Sequence, residues 1–488
     1  MATNPRETEP FDVDTPGRPE TRGIEIVDDA DRHGRARDLF AVWAAPNVSV
    51  LNFTIGATLT IVLGLEIWQA LLVILVSNVL WLLPGIVATS GPAAGTSGSV
   101  IQRAIYGIYG NRVVIAFYGW LVSSVFLALN WVAASFMGAD LLDRWGLLSG
   151  RPALVLVSVV VAAITVGVAV YGHALILRTY GPITIGLVIV FVAVMIALTP
   201  HIDLGFRQEF PLAGVSLWSS ITIGFALLAS TPLSYSNSAD FARYLPRDTR
   251  PSAIVWATAL GGAIPCFLFT AFGALLGSFT DADTMADTGI ESLLLDALPG
   301  WLAALFVLGI IVNTISLNAM TTYTASMALQ SIGVPIQRIP SAIVIGVIGT
   351  VQTIVLVMST GLLDAVNLLL QFLLIISCPT ITVYVVDIIV RRNRYDAPEL
   401  FDETRGSRYW FTGGFGLPGI IAIVVGGTFT ALFLSTEAWT GPFAAALGDM
   451  SLEIPAGIDV SVVAGMVVSA AVYIAFAGRQ VRAAGVAR

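Results

Sequence analysis

The chain has 488 residues, of which 56% are hydrophobic and only 11% charged, with a mean hydropathy of +0.85. A soluble domain carries about a quarter charged residues, so a soluble enzyme or soluble binding module is excluded. The formal net charge of −8 says little about partners, but a nucleic-acid binder needs a basic face, and there is none.

The first 40 residues are polar and rich in Pro, Asp, Glu and Arg. They read as a disordered cytoplasmic tail, 1–40, and not as a cleaved signal. Twelve apolar runs follow, near 44–64, 68–89, 113–138, 153–171, 180–199, 216–237, 253–279, 299–329, 341–359, 362–390, 417–435 and 460–478. Each is long enough to cross a bilayer, which takes about 20 apolar residues. The expected fold class is an all-α polytopic membrane protein with twelve transmembrane helices. All 24 basic residues are arginine. With a cytoplasmic N-terminus, 21 of them fall on the cytoplasmic side and only Arg144, Arg151 and Arg207 on the other. That asymmetry obeys the positive-inside rule and places both termini in the cytoplasm of a plasma or inner membrane. Cys266 and Cys378 lie inside spans and read as small packing residues, with no disulfide or metal framework.

Irregular backbone survives in a bilayer only where it lines a cavity. The first span is interrupted at Pro46-Asn47-Val48-Ser49-Val50-Leu51-Asn52-Phe53-Thr54-Ile55-Gly56, and the sixth at Ala229-Ser230-Thr231-Pro232-Leu233-Ser234-Tyr235-Ser236-Asn237. Pro232 removes a backbone donor and clashes with the preceding turn. Breaks five helices apart predict inverted repeats: 41–200 (spans one to five) and 201–400 (spans six to ten), with 401–488 adding two peripheral helices.

In the third span, Phe126 and Asn130 are one turn apart on one helix face. An aromatic plus an amide suits a flat heteroaromatic ring, which stacks on one and hydrogen-bonds to the other. Helix-to-helix adhesion by Asn130 is the alternative. The eighth span carries Asn313, Thr314, Ser316 and Asn318. Asn318 suits the ring edge, and the other three offer neutral oxygens to a cation or to neighbouring helices. The span centres lack ionisable residues, which argues against a buried-carboxylate proton relay and favours sodium, without excluding protons. Asp240 and Arg243, at a cytoplasmic helix end, read either as an inward gate latch or as ordinary membrane-edge anchors.

Four stretches in order carry a resemblance. They are Gly91-Pro92 with Gly95-Thr96-Ser97-Gly98 and Arg103 to Asn111; Ser238-Ala239-Asp240-Phe241-Ala242-Arg243-Tyr244-Leu245-Pro246; Asn318 to Tyr323 with Gln330 and Gly333; and Asp387 to Arg392 with Tyr395-Asp396. Together they resemble the purine–cytosine permeases of the nucleobase–cation symporter family, over roughly residues 40–440. The resemblance implies a leucine-transporter-type core of ten helices, alternating access, and symport of a ring with sodium or protons. It implies substrate contacts at Phe126, Asn130, Ser230, Thr231, Tyr235, Asn318 and Asn52. It implies cation contacts from the first span near Ser49 and Asn52 and from Asn313 and Thr314. Phe126 and Tyr235 stand where many members have tryptophan.

The expected function is secondary active import of a nucleobase or similar flat heterocycle of cytosine or purine type by a monomer. Allantoin, a hydantoin, a vitamin-like ring, or a sensor that binds without transport remain open alternatives. A membrane enzyme lacks a visible dyad or metal cluster, since the histidines are His33, His173 and His201. A channel would show charged rings or a filter signature, and none is read here. Apart from a coupling ion, no cofactor is expected.

Overall fold

The computed structural model describes residues 17–280, 282, 284–285, 290–358, 362–436, 439–448 and 457–486. Among them, eight helices are long and apolar enough to cross a membrane, or nine if one bent pair is a single span. Two shorter apolar helices follow, Leu417–Phe433 and Ser461–Ala477. Exposed apolar side chains sit at helical spacing on the outer faces; Val347, Val351 and Val355 are 57%, 56% and 61% exposed. An apolar stripe of that kind requires a lipid solvent.

The bent pair is α1 (Asp38–Asn47) and α2 (Val50–Ala57, continued to Val62 by a π-helical turn), which meet at 57°. Ser49 is extended at the joint, and its hydroxyl caps α2 by accepting from the Leu51 N–H. Next come α3 (Ile67–Asn78) and α4 (Leu82–Ala88). A π-helical segment, Ile115–Val122, then enters α5 (Ser123–Arg144). The fourth and fifth expected spans form one element, α6 (Gly150–Leu198), broken only at Gly172. No loop separates them, because glycine at φ +74° and ψ −150° turns the chain within a single residue.

The sixth span is α7 (Gly214–Leu233), ending one residue after Pro232. An irregular stretch leads to the short α8 (Ala239–Ala242) and then to α9 (Pro251–Leu275), α10 (Gly300–Ser331), α11 (Arg338–Met358) and α12 (Leu362–Arg391). The broken first span crosses α9 at close range. A Cβ at Gly56 would collide with the Thr270 carbonyl, and one at Gly273 with the Phe53 carbonyl. Backbone cannot retreat as a flexible side chain can. Gly273→Ala is therefore expected to cost about 1–3 kcal/mol through overpacking, read as a lower melting temperature of the detergent-solubilised protein.

Residues 1–16 lie outside the described residues, but 17–37 form a packed strap and not the disordered tail that their composition predicts. Val27 is fully buried, and Glu20 and Arg22 are 5% and 6% exposed. The strap is tied by backbone: Val27 N donates to the Gly95 carbonyl (2.7 Å), and His33 N to the Tyr244 carbonyl (2.7 Å). Polar composition misled here because the strap buries its charges in pairs.

Candidate functional site

Two broken helices, an amide pair and an aromatic cluster lie within the helical bundle, and a buried ion-pair network lies on the face that carries the strap. At the first break, the amides of Asn47 and Asn52 fold back on the backbone. Asn52 Nδ2 donates to the Asn47 carbonyl at 2.7 Å, and Asn47 Nδ2 to the Trp43 carbonyl at 2.8 Å. At the second break, Tyr118 reaches across to donate to the Ser234 carbonyl at 2.9 Å. The π-helical turn that holds Tyr118 aims it there, a use such turns often serve. Ser230 donates to the Leu227 carbonyl of its own helix. Ser230, Thr231 and Tyr235 are half-buried, as are Phe126 and Asn130.

The third- and eighth-span amides meet. Asn130 Nδ2 donates to Asn318 Oδ1 at 2.9 Å, and Asn318 Nδ2 to the Leu127 carbonyl at 3.0 Å. Asn318 is fully buried. Phe126 lies one turn before Asn130 on α5. Tyr235 sits in an aromatic cluster that sequence reasoning missed. Its ring stacks on Trp81 (5.5 Å between centroids, 29°) and meets Trp43 edge-on (4.8 Å, 85°). Both tryptophans were hidden in apolar runs, where an aromatic is read first as packing. No hydrogen bond or ring contact joins Tyr235 to Asn130 or Asn318 among the described residues.

On the face that carries the strap, Asp240 Oδ1 accepts from the Gly98 N–H at 2.7 Å, at the start of the short helix Gly98–Ile101 that follows α4. Arg243 is wholly buried and takes its carboxylate partner from Glu20, not from Asp240: Nη2 to Oε1 is 3.0 Å. Glu20 Oε1 also accepts from Tyr244 Oη (2.7 Å) and Tyr323 Oη (3.1 Å), and Oε2 from the His173 N–H (2.9 Å). Arg243 donates in addition to the Gly23 carbonyl and stands over the Tyr244 ring at 5.0 Å. The strap thus joins the Gly172 joint, α8 and α10. Glu20 anchors this buried network, and the sequence did not reveal it.

Burial pushes the Asp240 carboxyl up to about 7, against the Gly98 hydrogen bond and the nearby Arg243 and Arg338 charges. A free aspartate titrates near 4, so between those values the folded protein holds a proton that the unfolded chain has released. Stability from this group therefore falls as pH rises from about 4 and is fully lost above about 7. Asp240→Asn is expected to flatten that part of the stability-against-pH curve, measured as the difference from wild type in a chemical-denaturation series.

A membrane-crossing helical bundle with two chain breaks, facing amides and a strapped face has the architecture of the leucine-transporter-type fold. The structural likeness agrees. Mhp1, a nucleobase-cation-symport-1 family transporter solved in a closed conformation with bromovinylhydantoin bound, matches with a TM-score of 0.70. It is 17% identical, over 95% of this chain and 96% of its own. The chain belongs to the family of permeases for cytosine/purines, uracil, thiamine and allantoin, whose model matches residues 26–454. Among relatives, YxlA of Bacillus subtilis (strain 168) is 23% identical over 469 residues, covering 93% of this chain and 95% of YxlA. The purine-cytosine permease FCY22 of Saccharomyces cerevisiae is 22% identical over 462 residues, covering 89% and 83%. The family is one of permeases, not enzymes, and the protein is a multi-pass membrane protein.

Proposed function

We propose that the protein imports a nucleobase or a closely similar flat heterocycle by alternating access, driven by a cation gradient, across the plasma or inner membrane. The carrying observation is the Asn130–Asn318 amide pair bridging α5 and α10. Each amide offers a donor and an acceptor, so a ring with paired donor and acceptor edges can insert between them and replace their mutual bond. Phe126 and Tyr235 supply stacking faces, and Ser230, Thr231 and Asn52 supply further polar atoms. Residues 41–200 and 201–400 act as the two inverted halves, with 401–488 peripheral, in a monomer whose termini are cytoplasmic. The strapped face is then the inward gate, and Asp240 and Arg243 hold it shut. Bromovinylhydantoin bound to Mhp1, and allantoin and thiamine in the family description, support testing rings beyond nucleobases.

The test is thermal-shift stabilisation of the purified protein by cytosine, uracil, adenine, hypoxanthine, allantoin, a hydantoin and thiamine. A ligand that binds only the folded state must raise the melting temperature. Stabilisation by one or more of these rings supports the reading; no shift across the panel removes the heterocycle.

A further inference from the structure

The last four carbonyls of a helix have no partner within it and must find one elsewhere. In α1 these belong to Ala44, Ala45, Pro46 and Asn47, and each has a protein donor. Val48 N–H takes the Ala44 carbonyl at 3.0 Å. Asn52 Nδ2 takes Asn47 at 2.7 Å. The remaining two go to one side chain from α10: Asn313 Nδ2 donates to Ala45 O at 2.9 Å and to Pro46 O at 3.0 Å. Asn313 is 3% exposed. Its orientation follows from its partners, because the reversed amide would press Oδ1 against two carbonyl oxygens.

A cation at a broken helix would use these same free carbonyl ends. Here the electropositive N–H groups of Asn313 and Asn52 stand in front of three of the four. We infer that Asn313 substitutes for a metal cation at the first-span break, so that this joint is tied by amides and the protein takes no sodium there. Asn313 would then determine ion specificity: its neutral amide does permanently what a bound ion would do only when present. The coupling consequence, that sodium does not drive uptake, rests on the proposed permease function. The binding claim does not.

Sodium alone, without any heterocycle, is therefore the probe. The melting temperature of the purified wild-type protein is measured as NaCl replaces KCl at constant ionic strength. No change is expected. A saturable rise with sodium overturns the inference, whatever the heterocycle panel shows. Asn313→Ser removes the amide donors and supplies a hydroxyl oxygen, and it is expected to gain a saturable sodium-dependent rise. A folded Asn313→Ser that stays insensitive to sodium removes the ion-replacing role from Asn313. If this variant does not fold, the wild-type titration decides alone.

Discussion

Glu20→Ala is expected to loosen the strapped face and to lower the melting temperature by several degrees. The pair it breaks is buried on both sides, with Arg243 fully enclosed and the Glu20 side chain only 2% exposed. Removing one member of such a pair strands the other charge, which typically costs about 3–5 kcal/mol. The cost falls on closure of this face, because Glu20 touches α6 at His173, α8 and its exit at Arg243 and Tyr244, and α10 at Tyr323. Ser97, next to the Gly98 that binds Asp240, is fully buried, and both native cysteines are buried as well. A Ser97→Cys reporter should therefore label slowly with a maleimide in the strapped protein and much faster when Glu20→Ala is added. Gly172→Ala should act alike, since a Cβ there would strike the Glu20 carboxylate and the positive φ disfavours alanine. Unchanged labelling and melting in both variants would mean that the strap is merely adjacent to the gate.

Asn318→Ala is expected to weaken heterocycle binding by roughly tenfold to hundredfold, the range of about 1–3 kcal/mol for an unmet buried polar group. Two losses follow. The ring loses one amide partner, which weakens binding. Asn130 and the Leu127 carbonyl lose theirs in the ligand-free protein, which lowers stability and partly offsets the first loss in affinity. Binding must therefore be read as a dissociation constant and not as a melting shift alone. Asn318→Asp keeps an acceptor and removes a donor. It should therefore spare rings that present a donor to this position and reject those that present an acceptor. Equal affinity of all three proteins for the best-binding ring would place the site elsewhere.

What could be read from the sequence was local. Apolar runs locate the helices because lipid demands continuous apolar surface, and Pro232 and the Asn47–Asn52 stretch locate the breaks because their effects reach only one turn. The one-turn spacing of Phe126 and Asn130 and the polar cluster around Asn318 were likewise visible. Long-range pairing was not. Glu20 lies 223 residues from Arg243, and nothing in a polar tail marks one carboxylate as buried. The Gly172 joint was missed because a one-residue reversal leaves no polar loop behind. Asn313 is read from the sequence as a candidate cation ligand, but an amide is both acceptor and donor, and here its Nδ2 donates to the Ala45 and Pro46 carbonyls. Only the facing carbonyls decide that it donates.

Vectorial uptake tests the central claim most directly. Purified protein is reconstituted in liposomes, and entry of the radiolabelled ring that gave the largest thermal shift is followed for wild type and Asn318→Ala. The account predicts time-dependent entry into the lumen that excess unlabelled ring abolishes and that Asn318→Ala largely loses. Saturable binding of the same ring with no entry would contradict it and make the protein a membrane sensor with a permease's fold.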